Sequence, residues 1–372
     1  MRYYIIAGEA SGDLHASNLM KALKTEDPSA EFRCWGGDLM EAAGGQIVRH
    51  YRDLAFMGFL EVAMNIRTIL RNFRFCEKDL RSWKPDVLIL VDYPGFNLRM
   101  AKFAAGEGIR VFYYISPQIW AWRTSRVHGI RKYVERMFVI LPFEQEFYGK
   151  YGYRVDFTGH PLLDSISSEK AHASADEFRL RNNLPDKPVI ALLPGSRAQE
   201  ISVMLKIMLK VVPRYPQYQF VIAAAPSIPD EFYHRFNNGE AVSVVKGQTH
   251  DLLRNSVAAL VTSGTATLET ALFRVPEVVC YKGSTLSYWI ARQVVRVNYI
   301  SLVNLIMNRE VVKELIQHDL TPSKLSDELA KLLEPGESER MKKDFDLLAD
   351  KLGGGGASAR TAKLMVQYLQ SK

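Results

Sequence analysis

Asp92 stands at the end of an apolar run, Val87 to Val91, just before Tyr93-Pro94-Gly95-Phe96-Asn97. Ligands bind at the carboxyl ends of strands in open α/β sheets, and an aspartate partly withdrawn from water there has its pKa raised toward that of a general base. The alternative is a turn or capping aspartate. Asp13 competes for the same work, because it closes the loop Gly8-Glu9-Ala10-Ser11-Gly12-Asp13 between the run Tyr3 to Ala7 and a helical pattern. In that loop Glu9, Ser11 and Gly12 are the residues expected to meet a ligand.

The second half of the chain carries a different chemistry. Pro194-Gly195-Ser196-Arg197 follows the run Val189 to Leu193 and precedes a helical pattern from Glu200 to Val212. A guanidinium at such a loop forks onto a diphosphate at about 1.5 to 3 kcal/mol per charge-assisted hydrogen bond, against about 0.3 to 1 kcal/mol from an exposed helix dipole. Arg197 is therefore the dominant anion anchor expected, with an exposed turn arginine as the alternative. Ser263, Gly264, Thr265, Ala266 and Thr267 add small donors, and Glu269 is placed to accept two ribose hydroxyls or only to complement a helix dipole.

Other positions admit two readings each. In Ser116-Pro117-Gln118-Ile119-Trp120-Ala121-Trp122-Arg123, the rings of Trp120 and Trp122 would pack on a sugar face, on acyl chains or at a domain interface. His160, in Gly159-His160-Pro161, reads as a structural hydrogen-bonding residue. Between Phe56 and Phe75, Met57, Leu60, Met64, Ile69, Leu70 and Phe73 recur near helical spacing with Arg67, Arg71 and Arg74 among them. Such a stripe is either core or a membrane-facing helix whose arginines meet anionic headgroups. Tyr288, Trp289, Arg292 and Arg296 make a second patch of this kind.

The elements that must hold these residues are parallel sheets with helices on both faces, because short apolar runs alternate with helical patterns throughout. The expected strands are Tyr3 to Ala7, Val87 to Val91, Val111 to Ile115 and Met137 to Leu141, then Val189 to Leu193, Phe220 to Ala224, Ser243 to Val245, Ala258 to Val261 and Val278 to Tyr281. At 372 residues the chain exceeds one ordinary core, so two Rossmann-like domains facing a central cleft are expected. The first spans 1–166 and the second 187–350. A charged, weakly periodic stretch, roughly Ser167 to Lys187, separates them. After Gly353 to Gly356, a last helix within 357–372 is expected to pack back on the first domain.

Composition narrows the partners. The net charge of +7 admits nucleic acid, an anionic membrane surface or a phosphorylated substrate, and the lack of any RNP-like aromatic pattern or Cys/His finger counts against nucleic acid. No apolar stretch approaches the ~18 residues of a membrane span. Met1 leads directly into the first strand, so no signal peptide is expected, and the scattered Cys34, Cys76 and Cys280 fit a reducing cytoplasm. The only Asp-x-Asp, Asp344-Phe345-Asp346, reads as solvated helix surface, so no metal and no cofactor is expected.

Taken in order, GEASGDLHA at 8–16, MGFLEV at 57–62, SPQIWAWR at 116–123, LPFE at 141–144, GHP at 159–161, LPGSR at 193–197, SGTATLE at 263–269 and ELIQ at 314–317 closely resemble the lipid-A-disaccharide synthase family, over essentially the whole chain. The resemblance implies a GT-B glycosyltransferase fold, with UDP-2,3-diacylglucosamine as donor and 2,3-diacylglucosamine 1-phosphate as acceptor. The products would be lipid A disaccharide 1-phosphate and UDP, formed by an inverting, metal-independent hexosyltransferase of lipopolysaccharide biosynthesis. It would be peripheral on the inner face of the inner membrane, with a homodimer left open. Carried over by position, Arg197 and the Ser263 to Thr267 loop hold the diphosphate, Glu269 the ribose, Asn304 and Gln317 the nucleotide sugar, and Asp92 activates the acceptor hydroxyl. The chain departs from the family at Gly95, where a second acid is common, and at Val303, where a proline is. A UDP-sugar 2-epimerase-like enzyme and a non-enzymatic nucleotide binder at the membrane surface are the alternatives.

Overall fold

The structure is a computed structural model and describes residues 1–54, 66–168, 174–236, 242–283 and 298–371. It divides into two compact units, one of Met1–Asp164 with Leu352–Lys372 and one of Ser165–Lys351.

In the first unit the described strands are β1 (Arg2–Ala7), β2 (Glu31–Gly36), β3 (Gln46–His50), β4 (Val87–Val91), β5 (Arg110–Tyr114), β6 (Arg136–Val139) and β7 (Asp156–Phe157). They pair in parallel in the order β3-β2-β1-β4-β5-β6-β7. Every residue of β4 is buried, as an unbroken apolar run must be when helices cover both faces of a parallel sheet. The strand order reverses between β1 and β4, where Ala7 pairs with Val91. That switch point fixes where the loops after both strands meet.

The second unit repeats the plan with β8 (Val189–Leu193), β9 (Gln219–Ala224), β10 (Val242–Lys246), β11 (Ser256–Thr262), β12 (Glu277–Tyr281) and β13 (Lys313–Ile316), ordered β10-β9-β8-β11-β12-β13. Its switch point lies between β8 and β11, where Leu193 pairs with Val261. β2, β3, β7 and β13 are strands beyond those expected from the sequence.

The stretch expected to be weakly periodic contains a helix, Ala175–Arg181. It is opened by a reciprocal capping box in which the Ser174 side chain accepts from Glu177 N and the Glu177 carboxylate accepts from Ser174 N. Phe178 anchors that helix in the core of the second unit. The final helix, Ala357–Gln370, adds Ala362, Met365 and Val366 to the core around β1 and packs on the helix Ala10–Glu26. Four consecutive glycines cannot hold its start, so Asp164 does: its carboxylate accepts Gly356 N at 2.6 Å, Ala357 N at 3.1 Å and Ser358 N at 2.8 Å.

Candidate active site

At the first switch point the chain leaves β4 in an unusual shape. Asp92 and Tyr93 both adopt left-handed backbone, with φ of 45° and 46°. Two successive non-glycine residues there cost on the order of 1–3 kcal/mol each, so something must hold them. The Tyr113 hydroxyl donates to the Asp92 carbonyl at 2.5 Å, and Asn97 Nδ2 donates to the same oxygen at 2.8 Å. Gly8, at the end of β1, gives the Tyr93 ring its room, since a Cβ there would collide with it. The Asp92 carboxyl is raised to about 6, by burial first and by the nearby Glu9 carboxylate second, with the Tyr93 backbone N–H pulling the other way. A carboxylate with that pKa takes a proton from an alcohol more readily than an ordinary aspartate does.

Asp13 does different work. Its oxygens accept Gly37 N at 2.8 Å, Met40 N at 3.1 Å and Leu39 N at 3.2 Å, and the side chain is buried. It anchors the start of the next helix, Asp38–Ala42. Gly12 is likewise buried, where the helix closes onto Ala7. Glu9 is half-buried and Ser11 exposed at the mouth of the loop.

The loop after β5 begins with a left-handed Ile115, φ 63°. Trp120 sits edge-to-face on Phe143 at 5.0 Å, and Trp122 is exposed. Below them Glu144 is fully buried, accepting Leu141 N at 3.0 Å and Ile140 N at 3.3 Å. Burial pushes its carboxyl up to about 7 against those hydrogen bonds. His160 is structural, as expected: Nδ1 accepts Leu162 N at 3.2 Å, and burial lowers its pKa to about 3.

At the second switch point a crevice of 420 Å³ lies over the ends of β8, β9 and β11, lined by Gly195, Ser196, Arg197, Glu200, Ser263, Gly264, Thr265, Ala266 and Glu269 among others. Two helices, Ala198–Met208 and Thr265–Leu272, begin there, so unpaired N–H groups and two positive dipole ends converge on it. Gly195 has φ 111°, and a Cβ there would strike Glu200, whose carboxylate accepts Ser196 N at 3.1 Å. Glu269, which lines the crevice, pairs with His250 Nε2 at 2.5 Å. The site therefore combines anion-seeking N–H groups with a carboxylate suited to hydroxyls.

Three residues expected at the donor have protein partners of their own in this structure. The Thr267 hydroxyl is buried and donates to Gly264 O at 2.8 Å, closing its own turn. Asn304 is wholly buried, with Nδ2 donating to Val312 O and Glu314 and Oδ1 accepting Val311 N and Val312 N. Gln317, left-handed at φ 53°, pairs its amide with Gly283, donating to the carbonyl at 3.3 Å and accepting the N–H at 3.1 Å. Asn304 and Gln317 thus shape the edge of the sheet near the crevice.

Sequence reasoning missed His250, Glu200, Tyr113 and Glu144. His250 follows β10 in Gly247-Gln248-Thr249-His250, a small-residue loop at a strand end like those singled out; Tyr113, inside β5, carries no such signal. Among the described residues no group of three or more His, Cys, Asp or Glu is placed to hold a metal ion.

Met57 and Met64 lie outside the described residues, as do Tyr288, Trp289, Arg292 and Arg296. The helix Ile66–Trp83 turns Phe73, Cys76 and Leu80 into the core, and Ile69 packs partly against them. Arg67, Leu70, Arg71, Arg74 and Phe75 are exposed on it. From Arg67 to Phe75 the stripe is core on one face and a cationic, partly apolar surface on the other. No helix among the described residues is long and apolar enough to cross a membrane.

A family profile described as Lipid-A-disaccharide synthetase matches residues 3–366. The chain is 38% identical over 379 residues to the lipid-A-disaccharide synthase of Geobacter metallireducens, covering 100% of this chain and 98% of that one. It is 40% identical over 376 residues to that of Syntrophus aciditrophicus, covering 98% and 97%. Among solved structures it is similar to the UDP-GlcNAc 2-epimerase of Neisseria meningitidis bound to UDP-GlcNAc, with TM-score 0.67 at 13% identity over 100% of both chains. It is also similar to the glycotransferase of kitacinnamycin, with TM-score 0.68 at 13% identity over 99% of both. At such identity these structures establish the GT-B-like fold alone. The full-length sequence matches carry the activity: the chain belongs to the lipid-A-disaccharide synthetase family and is a glycosyltransferase of lipid A biosynthesis.

Proposed function

We propose that this enzyme transfers 2,3-diacylglucosamine from UDP to the 6-hydroxyl of 2,3-diacylglucosamine 1-phosphate in one inverting displacement. The acceptor oxygen attacks the anomeric carbon, its proton passes to Asp92, and the bond to the UDP oxygen breaks. Lipid A disaccharide 1-phosphate and UDP leave. The observation that carries this reading is the Asp92 turn: a strained, clasped loop at a switch point with its carboxyl raised to about 6. A strained backbone persists where the surroundings over-determine it, and such places cluster at active sites.

The donor half rests on the second crevice. As the glycosidic bond breaks, the sugar gains positive charge and the diphosphate negative charge. Arg197, the Ser196 hydroxyl and the N–H groups of Gly264 and Thr265 are the donors proposed for that charge, and Glu269, steadied by His250, suits the ribose hydroxyls. Both substrates carry acyl chains, so the reaction belongs at a membrane surface. The exposed face of Ile66–Trp83, with Leu70 and Phe75 among Arg67, Arg71 and Arg74, is the surface proposed to meet the cytoplasmic leaflet.

One assay tests the reading. With radiolabelled donor and unlabelled acceptor, the wild-type protein forms disaccharide. Arg197→Ala lowers turnover about 10²- to 10³-fold while its folding, followed by circular dichroism, is unchanged. Near-normal turnover in that variant removes Arg197 from the mechanism, and a labelled epimer without disaccharide points to the epimerase chemistry instead.

A further inference from the structure

Trp122 is 46% exposed, and two arginines crowd it: the Arg123 guanidinium lies 4.3 Å from the ring centroid and that of Arg126 5.9 Å. Elsewhere in the first unit partly buried arginines meet carboxylates, as Arg33 does Asp79 at 2.7 Å and Arg110 does Glu135 at 2.6 Å. Among the described residues neither Arg123 nor Arg126 has a carboxylate within ion-pair distance. Arg126 is half-buried, and its guanidinium is held below the usual arginine range by burial first and by Arg123 second. Arg123 is exposed and Arg126 half-buried, so the pair sets two mutually repelling positive charges side by side at the surface, an arrangement that an anion between them relieves.

Their position narrows the anion. Arg126 acts electrostatically on Tyr113, whose hydroxyl clasps the Asp92 carbonyl, so Tyr113 links this arginine to the turn that carries Asp92. On the other side Arg126 and Lys102 rim a 300 Å³ groove between the helices Pro94–Gly106 and Val127–Tyr133, floored by Leu98, Ala101, Ile130 and Val134. Cations at the rim and hydrocarbon on the floor complement an anionic amphiphile: a phosphate with an acyl chain close by.

We propose that Arg123 and Arg126 bind the phosphate monoester of the acylated acceptor sugar, and that the groove between the two helices receives one of its acyl chains. This rests on the glycosyltransferase reading above and adds to it the group by which the acceptor is recognised. A guanidinium fork suits the two or three oxygens of a phosphate monoester, and the indole face of Trp122 gives the sugar a flat apolar surface. Anchoring the phosphate near Tyr113 also fixes which acceptor hydroxyl reaches Asp92.

The test compares the natural acceptor with its dephosphorylated form, in wild type, Arg126→Gln, Arg123→Gln and Arg126→Lys, with anionic phospholipid vesicles as a separate arm. In wild type, removing the phosphate raises the acceptor KM about 10- to 100-fold. In Arg126→Gln the KM for the phosphorylated acceptor rises by a similar factor, donor KM and thermal midpoint hold, and the preference for phosphate collapses. Arg126→Lys restores part of it. If Arg126→Gln keeps the wild-type preference, the proposal is overturned. It is equally overturned if the variants lose vesicle binding but keep that preference, because the arginines then serve bilayer headgroups. A wild type that forms no disaccharide with either acceptor overturns the glycosyltransferase reading itself, and this proposal with it.

Discussion

The hydroxyl of Tyr113 on β5 donates to the main-chain carbonyl of Asp92, which follows β4, at 2.5 Å, so one strand holds its neighbour's terminal residue in a left-handed conformation. Tyr113 is wholly buried, and burial holds its phenol far above the usual tyrosine pKa, so the hydroxyl remains a donor throughout the working pH range. Tyr113→Phe removes that donor and leaves Asn97 alone on the carbonyl. We expect a loss of about 1–3 kcal/mol in stability, since the carbonyl loses a partner in a partly buried place. The kinetic signature is a fall in kcat with the donor KM unchanged, read from initial rates at saturating acceptor. Equal kcat in the two proteins means the clasp does not position the base.

Asp92 itself sets a pH dependence. Its carboxyl is raised by burial and then by Glu9, so the basic form accumulates only above about pH 6. The rate then falls on the acid side of pH 6, a limb that an ordinary aspartate would place near pH 4. Glu9→Gln removes the second cause and moves the limb down by roughly half a unit to one unit, leaving the larger effect of burial. Asp92→Asn lowers turnover about 10²- to 10⁴-fold. It also raises the thermal midpoint at neutral pH, because a carboxyl with an elevated folded pKa works against folding above its unfolded value. A limb that stays near pH 6 in Asp92→Asn assigns it to another group.

What was legible in the sequence follows from how the charges are used. β4 and β8 carry only apolar side chains, and every residue in them is buried, so the pattern alone identifies them. β2 and β13 contain Arg33 and Glu314, which read as surface. In the fold Arg33 is paired with Asp79, and Glu314 accepts Ile300 N, Ser301 N and Asn304 Nδ2. The same concealment affected Asp344, read as solvated but buried between Arg309 and Arg340. Loop chemistry at strand ends was visible for Asp92, Arg197 and Glu269 because each follows an apolar run. The residues packed against these loops, Tyr113 on Asp92, Glu200 on Ser196 and His250 on Glu269, are placed by the topology, and nothing in their own local spacing says where it will bring them.

His15 and His160 predict a weakness to acid. Burial lowers their pKa values to about 4 and about 3, with Asp164 pulling the other way on both and His15 adding to the depression of His160. For a base with a depressed folded pKa the unfolded chain binds more protons below about 6.5, so stability falls as pH drops from about 6.5 toward 3. His160 Nδ1 accepts Leu162 N, and protonating that nitrogen breaks the bond. His160→Asn keeps an acceptor near the same place without the titration. Urea midpoints at pH 7 and pH 5 measure the effect: the difference between them shrinks in the variant, and an unchanged difference removes His160 from the account.

Glu277 makes the opposite prediction at the far end of the second sheet. It opens β12, whose carboxyl end at Tyr281 is the one near the crevice, and it is wholly buried with neither carboxylate oxygen hydrogen-bonded among the described residues. Burial pushes its carboxyl well above the ordinary glutamate value. The folded form therefore keeps a proton that the unfolded chain releases above about 4.5, and the cost to stability grows as pH rises toward the folded pKa. Glu277→Met replaces the carboxyl with an apolar group of similar length and removes that cost. The gain is on the order of 1–3 kcal/mol at pH 8, roughly 2–4 °C of thermal midpoint per kcal/mol for a unit of this size, and smaller at pH 5. Calorimetry at the two pH values checks it, and disaccharide formation should be unaltered because the residue lies at the opposite strand end from the crevice. A midpoint lower than wild type at pH 8 would mean that the carboxyl has a stabilising partner after all.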